Sequence, residues 1–174
     1  MEKNTSIGLP ALEVDPAHST DFRAVLGLFA SGVVVVTGLD RNGTPIGMTC
    51  QSFTSLSLDP PLVSFSPSRN STTFPRLREG GRICVKVLAE DQDWLSNQFA
   101  VSGADKWAGV DWVAGRNGAP RIAGSVMWCD GSIEAAYEAG DHYLVIVAVQ
   151  ALALPKDAAG PLIFHRGNYS RLSE

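Results

Sequence analysis

Val33-Val34-Val35-Val36-Thr37-Gly38-Leu39-Asp40-Arg41-Asn42-Gly43-Thr44-Pro45-Ile46-Gly47-Met48-Thr49-Cys50-Gln51-Ser52-Phe53-Thr54 is the stretch on which the fold of this 174-residue chain turns. Val33–Leu39 is β-branched and too crowded at χ1 to prefer a helix. It runs into Asp40-Arg41-Asn42-Gly43, and Asn-Gly favours the type I′ turn that closes a hairpin. Ile46–Thr54 is therefore expected to return antiparallel as the second arm.

Working outward, the same grammar repeats. Asp59-Pro60-Pro61 ends pairing, and Leu62–Phe65 reads as the next strand. Arg82–Leu88 alternates, with Ile83, Val85 and Val87 on one face and Cys84 and Lys86 on the other. Val126–Ala136 and Tyr143–Leu154 form an antiparallel pair joined at Glu138–Asp141, and Leu162–His165 is a last short strand. Helices are few. Ser19 or Thr20 can cap one in which Phe22, Leu26 and Phe29 share a face. Ser71 opens a brief turn carrying Phe74 and Leu77, stopped by Gly80-Gly81. Asp91–Phe99 places Leu95 and Phe99 four apart on one face. No βαβ spacing is present. The expected class is mainly β: an antiparallel barrel, closed or nearly so, with three short helices.

The length suits one domain with a full-sized core. A net charge of -4 argues against a nucleic-acid partner and against a polybasic membrane contact. The longest apolar run, Tyr143–Val149, is far short of the roughly 20 residues that span a bilayer. Residues 1–17 mix Glu2, Lys3, Glu13 and Asp15 with Pro10 and Pro16, and carry no apolar core of a secretory signal. They are expected to form an extended arm ahead of a domain over residues 18–174. Cys50, Cys84 and Cys129 form no CxxC pair, which reads as buried thiols in a reducing, cytoplasmic compartment. His18, His142 and His165 sit at no metal-ligand spacing, so no metal site is expected.

The chemistry concentrates in Gly47–Val63. A strand of a plain barrel alternates apolar with polar residues, but Thr49, Cys50, Gln51, Ser52, Thr54, Ser55 and Ser57 are small or hydrogen-bonding. They donate and accept without bulk, so the backbone can approach a flat polar heterocycle. An edge strand with a polar outer face fits the same residues equally well. Ser68-Arg69-Asn70-Ser71 precedes a short helix expected from Thr72, and reads either as a phosphate site or as a helix cap with a solvated Arg69. His142 follows Gly140-Asp141 at a turn, where a lone His is often structural. No GxGxxG follows a strand and opens a helix, so a Rossmann site is not expected.

Gly47–Val63 resembles the flavin-contacting segment of the small flavin reductases that serve two-component flavin monooxygenases: Gly, Met, a small pair, Gln, Ser-Phe, a Ser-rich strand, then Pro60-Pro61-Leu62. The resemblance runs from about Phe22 to Tyr169 through Phe22-Arg23 to Gly32, Asp105-Lys106-Trp107, Gly140-Asp141-His142, and Pro161-Leu162 to Tyr169. Cys50 stands where Ala is common, and Arg69 where Lys or Thr often occurs; neither removes a group the reaction needs. The resemblance implies an FMN-binding split β-barrel of Greek-key type, a homodimer, with flavin near the subunit interface.

It also implies roles. Gly47, Met48, Thr49, Cys50, Gln51, Ser52 and Phe53 would lie along the isoalloxazine, although Phe53 also reads as plain core. Ser68, Arg69, Asn70 and Ser71 would hold the flavin phosphate. Val87 and Leu88 would offer backbone to the ring or ribityl chain. Lys106 would reach the adenylate end of FAD, or else be solvated. His142 would bind and orient the nicotinamide, with Arg166 and Tyr169 flanking it; a C-terminal strand with an exposed Arg is the plain alternative. The implied activity is reduction of FAD or FMN by NADH or NADPH, with reduced flavin passed to a partner monooxygenase. The rivals are a split-barrel oxidase with tightly held FMN, disfavoured by the scarcity of clustered Arg and Lys, and a non-catalytic flavin- or haem-binding module.

Overall fold

A computed structural model describes residues 13–157 and 159–173 of the chain. The elements in order are α1 (Ser19–Leu26), β1 (Ser31–Gly32), β2 (Val34–Leu39), β3 (Pro45–Cys50), β4 (Thr54–Leu58) and β5 (Pro61–Phe65), then α2 (Phe74–Gly80), β6 (Arg82–Val87) and α3 (Asp93–Ala100). They continue with β7 (Trp112–Ala114), β8 (Pro120–Ile122), β9 (Met127–Ala139), β10 (His142–Ala153), β11 (Ile163–His165) and β12 (Asn168–Ser170).

Seven strands form one antiparallel sheet in the order β3-β2-β6-β9-β10-β5-β4. Its two outermost strands, β3 and β4, are neighbours in the chain, joined only by Gln51–Phe53. The sheet therefore curls until its edges meet at that bend, and the seam beside it stays unpaired. The single strand expected over Ile46–Thr54 is thus two strands on opposite edges. The polar run interrupts the strand at Gln51–Phe53, where the chain leaves one edge for the other.

Side chains from both halves of the curled sheet fill its inside: Val34, Val36, Phe65, Ile83, Val85, Cys129, Val145 and Val147, closed at one end by Phe74 and Leu77 of α2. A second cluster lies outside it, where Leu95 and Phe99 of α3 pack with Val33, Val35, Leu88, Ile122 and Leu162. Both faces of β2 are consequently buried, which explains its unbroken valines. All three cysteines are free and buried.

Several local expectations are corrected. Asn42-Gly43 does not make a type I′ turn, because Gly43 has φ +78° while Asn42 stays at negative φ. Asp40 supplies the reason. Its Oδ1 accepts the N–H groups of Asn42 and Thr44, both at 2.9 Å, and its carbonyl accepts Gly43 N–H, so a wider loop with one left-handed glycine closes the hairpin. The cap residue of α1 is His18 rather than Ser19 or Thr20, and Phe29 lies beyond the helix end. α2 begins at Phe74 rather than Thr72, with Ser71 Oγ accepting the Phe74 N–H at 3.1 Å. β9 and β10 extend to Ala139 and His142, leaving Gly140-Asp141 as the turn. Of the five strands of two or three residues, β11 falls within the expected Leu162–His165, and β1, β7, β8 and β12 are too short to carry a period in the sequence.

Candidate functional site

A groove of about 580 Å³ opens along the unpaired seam. Met48, Thr49 and Cys50 of β3, with Gln51 and Ser52 of the bend, line one side. Ser66, Pro67, Ser68, Asn70 and Ser71 to Thr73 line the other, His142 sits at the margin, and Phe99, Ala100, Ser102 and Lys106 contribute from α3 and beyond. The structure thus gathers ten of the sequence-derived candidates: Met48, Thr49, Cys50, Gln51, Ser52, Ser68, Asn70, Ser71, Lys106 and His142.

Hydrogen bonds show what each has left to offer. Thr49 Oγ1 donates to the Ser96 carbonyl at 2.6 Å, so toward the groove this hydroxyl can only accept. Ser52 Oγ accepts the Ser66 N–H at 2.7 Å and lies 3.2 Å from the Ser66 carbonyl, clasping the bend to the strand end across the seam. Cys50 Sγ is 3.0 Å from the same hydroxyl. Gln51 is exposed, and its amide has no partner among the described residues. In the Ser68–Ser71 loop, Asn70 N–H bonds Ser68 Oγ, Arg69 N–H bonds the Asp141 carbonyl, and Ser71 N–H bonds the Ser68 carbonyl. Those backbone donors are spent internally. Among the residues that line the groove here, the Asn70 amide, the N–H groups of Thr72 and Thr73 and the hydroxyls of Ser68, Thr72 and Thr73 donate to no partner among the described residues.

His142 is tied to the Ser66–Ser71 side of the seam. Ser68 and His142 form an antiparallel bridge, and Tyr143 N–H bonds the Pro67 carbonyl. Its Nδ1 lies 2.8 Å from Asp141 Oδ1, with the ring about half exposed. That hydrogen bond, with the charge it brings, holds the Asp141 carboxyl below its usual range. The pair fixes the ring orientation and directs Nε2 away from Asp141. Lys106 Nζ donates to the carbonyls of Phe99 at 2.9 Å and Gly47 at 3.2 Å, and its burial lowers its pKa.

Seven candidates are not brought to the groove. Gly47 is buried against α3, and Phe53 packs on the barrel core. Arg69 turns outward, with Nη1 3.3 Å from Glu138 and 3.5 Å from the Gly140 carbonyl. Val87 packs on the barrel core and its carbonyl accepts Val126 N–H. Leu88 is fully buried with both backbone groups engaged, to Val33 and Leu162. Arg166 has φ +52° and donates its N–H to the Gly27 carbonyl. Tyr169 Oη bonds Ser96 Oγ and Asn97 Oδ1, both at 2.9 Å, and so stands behind Thr49 with Ser96 between. Sequence reasoning missed Phe99, Ala100 and Ser102, which reach the groove only because α3 packs on β3. Thr72 and Thr73 adjoin a motif it did single out.

Residues 26–173 match the model of the flavin reductase like domain. A flavin reductase of Pseudomonas putida is 43% identical over 148 residues, covering 85% of this chain and 86% of that one. The reductase subunit of a flavin-dependent monooxygenase from Rhodococcus jostii is 39% identical over 171 residues, covering 98% and 85%. Among solved structures, the NADH:FAD oxidoreductase of Streptomyces globisporus in complex with NAD and FAD fragments superposes with a TM-score of 0.87 at 36% identity, covering 94% of this chain and 98% of that one. The mainly antiparallel β architecture with a few short helices matches the split-barrel-like fold of such solved relatives.

Proposed function

Because the chain belongs to the flavin reductase-like family, we propose that it reduces FAD or FMN with NADH or NADPH at the seam groove and releases the reduced flavin to a separate monooxygenase. The observation that carries this reading is one groove with two unlike margins. One is a row of small hydrogen-bonding residues, Thr49 to Ser52; the other carries the oriented imidazole of His142.

The donor set suits a flavin. A flat ring with carbonyls, ring nitrogens and one imide N–H needs both acceptors and donors at close range. Thr49 Oγ1 offers an acceptor, the Gln51 amide offers both, and the unspent N–H groups of Thr72 and Thr73 with the Asn70 amide suit the phosphate. When bound, the flavin supplies the hydride acceptor and the reduced nicotinamide the donor. The chain's task is to hold the two rings in contact and aligned. His142 orients the nicotinamide from the opposite margin. It transfers no proton in the hydride step, because hydride transfer needs no simultaneous acid. Tyr169 acts through Ser96 on Thr49. The absence of a deep aromatic cage among the lining residues leaves the flavin weakly held, which suits a product that must diffuse away.

Dimerisation is part of the same reading. Leu56 and Leu58 of β4, Tyr137 of β9 and Leu152 of β10 are exposed, Leu58 at 90%, and a second copy covering them accounts for an apolar surface otherwise left to water. The arm over residues 1–17 falls mostly outside the described residues; its residues 13–17 are exposed. No described helix is long and apolar enough to cross a membrane. We place the protein in the cytoplasm on its three free thiols.

The test is direct. Purified protein is mixed with NADH or NADPH and free FAD or FMN, and loss of the reduced-nicotinamide absorbance is followed. Turnover above the protein-free rate is expected with at least one pairing; none with any pairing ends the reading.

A further inference from the structure

The last strand of the chain reaches the seam groove from behind. β12 pairs with β11, and β11 pairs with β1, the short strand ahead of β2. Phe164 and Tyr169 face each other in that register, meet edge to face at 5.4 Å and pack on the outer cluster that holds α3. Tyr169 thereby carries its hydroxyl to α3, where Oη lies 2.9 Å from both Ser96 Oγ and Asn97 Oδ1. One phenol ties two successive residues of the helix to a hairpin that follows Ser96 by 73 positions.

Ser96 is 1% exposed, and its carbonyl takes the Thr49 hydroxyl proton at 2.6 Å. Gly47, two residues earlier on the same face of β3, has no side chain to hold α3 away. Ser96 is therefore gripped from two sides, by Tyr169 at its hydroxyl and by Thr49 at its carbonyl. The Thr49 hydroxyl cannot turn to donate into the groove without breaking this bond. A hydroxyl whose proton is committed offers only lone pairs. The polar edge of an oxidised flavin carries N1, two carbonyls, the imide N3–H and N5, and of these only N3–H donates. The reduced nicotinamide donates only through its carboxamide, and its ring is assigned to His142 on the opposite margin.

Resting on the reductase reading, we propose that Tyr169 and Ser96 are positioning residues that hold Thr49 Oγ1 as the acceptor for the flavin imide N3–H, so that the groove selects rings with a free imide. Tyr169, which the resemblance puts beside the nicotinamide, then serves the flavin instead. Reduction adds an N–H at N5 and leaves N3–H in place. The contact therefore holds the ring before and after hydride transfer without favouring either state.

The experiment is equilibrium dialysis of the full chain without nicotinamide, with FMN, FAD and their N3-methyl derivatives as probes. The methyl removes the donor and collides with Thr49, so the methylated flavins are expected to bind at least about tenfold more weakly than their parents. Thr49→Ala takes away both the acceptor and the collision. The parent flavin is expected to weaken about fivefold, and the two probes to come within about threefold of each other. Thr49→Ser keeps the hydroxyl and is expected to restore the ratio. Tyr169→Phe keeps the ring that packs on Phe164 and removes only the tie, and is expected to cut the ratio to about threefold. Dithionite-reduced flavin is expected to lose the same factor as oxidised flavin in Thr49→Ala. No binding of either parent flavin, equal binding of parent and methylated probes, or a ratio that survives Thr49→Ala overturns the proposal. So does a Tyr169→Phe protein that leaves every flavin constant unchanged, the result for a residue that only flanks the nicotinamide, or that weakens both probes by one factor, the result for a purely structural one. A larger loss for reduced flavin in Thr49→Ala places the hydroxyl at N5 and overturns it as well. Dialysis needs no turnover. A chain that shows the ratio yet oxidises no reduced nicotinamide ends the reductase reading alone, and one that turns over without the ratio ends this proposal alone.

Discussion

His142 shows how little a residue's type says until its partners are known. A lone His at a turn is ordinarily structural, and this one does bond its neighbour, Asp141. The same bond fixes the ring over the groove margin, about half exposed, so the structural contact serves the site. Replacing it with Ala removes one oriented hydrogen-bonding group, worth about 1 kcal/mol. The expected outcome is a rise of roughly fivefold in the KM for NADH with the flavin constant nearly unchanged. Steady-state kinetics with each substrate varied in turn checks this, and a shift confined to the flavin constant places His142 on the wrong ligand. Arg69 makes the opposite point. Its guanidinium suits a phosphate, yet Glu138 holds it outside the groove. The sequence showed the right chemical group but could not show which way it faces, because that depends on a strand some seventy residues later.

At the scale of elements, Gly47 ties α3 to the site. A Cβ there would lie 2.5 Å from Phe99 Cε1, 2.8 Å from Phe99 Cδ1 and 3.1 Å from Thr37 Cγ2, so α3 sits directly against the β3 backbone. That approach places the Ser96 carbonyl on the Thr49 hydroxyl. Gly47→Ala is therefore expected to destabilise the fold by about 1–3 kcal/mol through overpacking and to weaken flavin binding as α3 shifts. Phe99→Leu in the same chain is expected to recover part of both losses, a coupling measured by urea unfolding and flavin titration of the double-mutant cycle. Additive losses would mean that the contact does not set the position of α3. Much of this level was legible in the sequence: the β-branched run at β2, the alternation of β6 and the long β9–β10 pair declare themselves by period. The split between β3 and β4 did not, since a polar run in a strand looks the same whether it lines a ligand, faces water or turns a corner. The role of Gly47 was also hidden, because its partner Phe99 is remote in sequence.

Lys86 raises the question for the whole molecule. Alternation puts it opposite the barrel core, the usual place for a solvated lysine, yet it is fully buried. The excursion from α3 to β9 folds back over that face, so Nζ meets Thr37 Oγ1 and the carbonyls of Cys84 and Pro120. Nearby, Asp130 grips Arg121 and the Arg116 N–H, pinning the same excursion. Burial pulls the Lys86 pKa down to about 7, outweighing the opposite pull of Cys84 and Asp130. An unfolded lysine keeps its proton to about pH 10.4. Between those limits the unfolded chain binds a proton that the folded chain does not, so stability climbs with pH, by at most about 1.4 kcal/mol per unit. Burial also pushes the Cys84 and Cys129 thiols up to about 12 and about 11. Above about pH 8.5 their unfolded forms ionise first and reverse the trend. The protein is therefore expected to gain stability from pH 7 toward about 8.5 and lose it beyond about 9. Urea midpoints across that range check the curve, and Lys86→Met is the decisive comparison. Without the amine the initial rise should vanish while the later fall remains; an equal rise in both proteins would place the titrating group elsewhere.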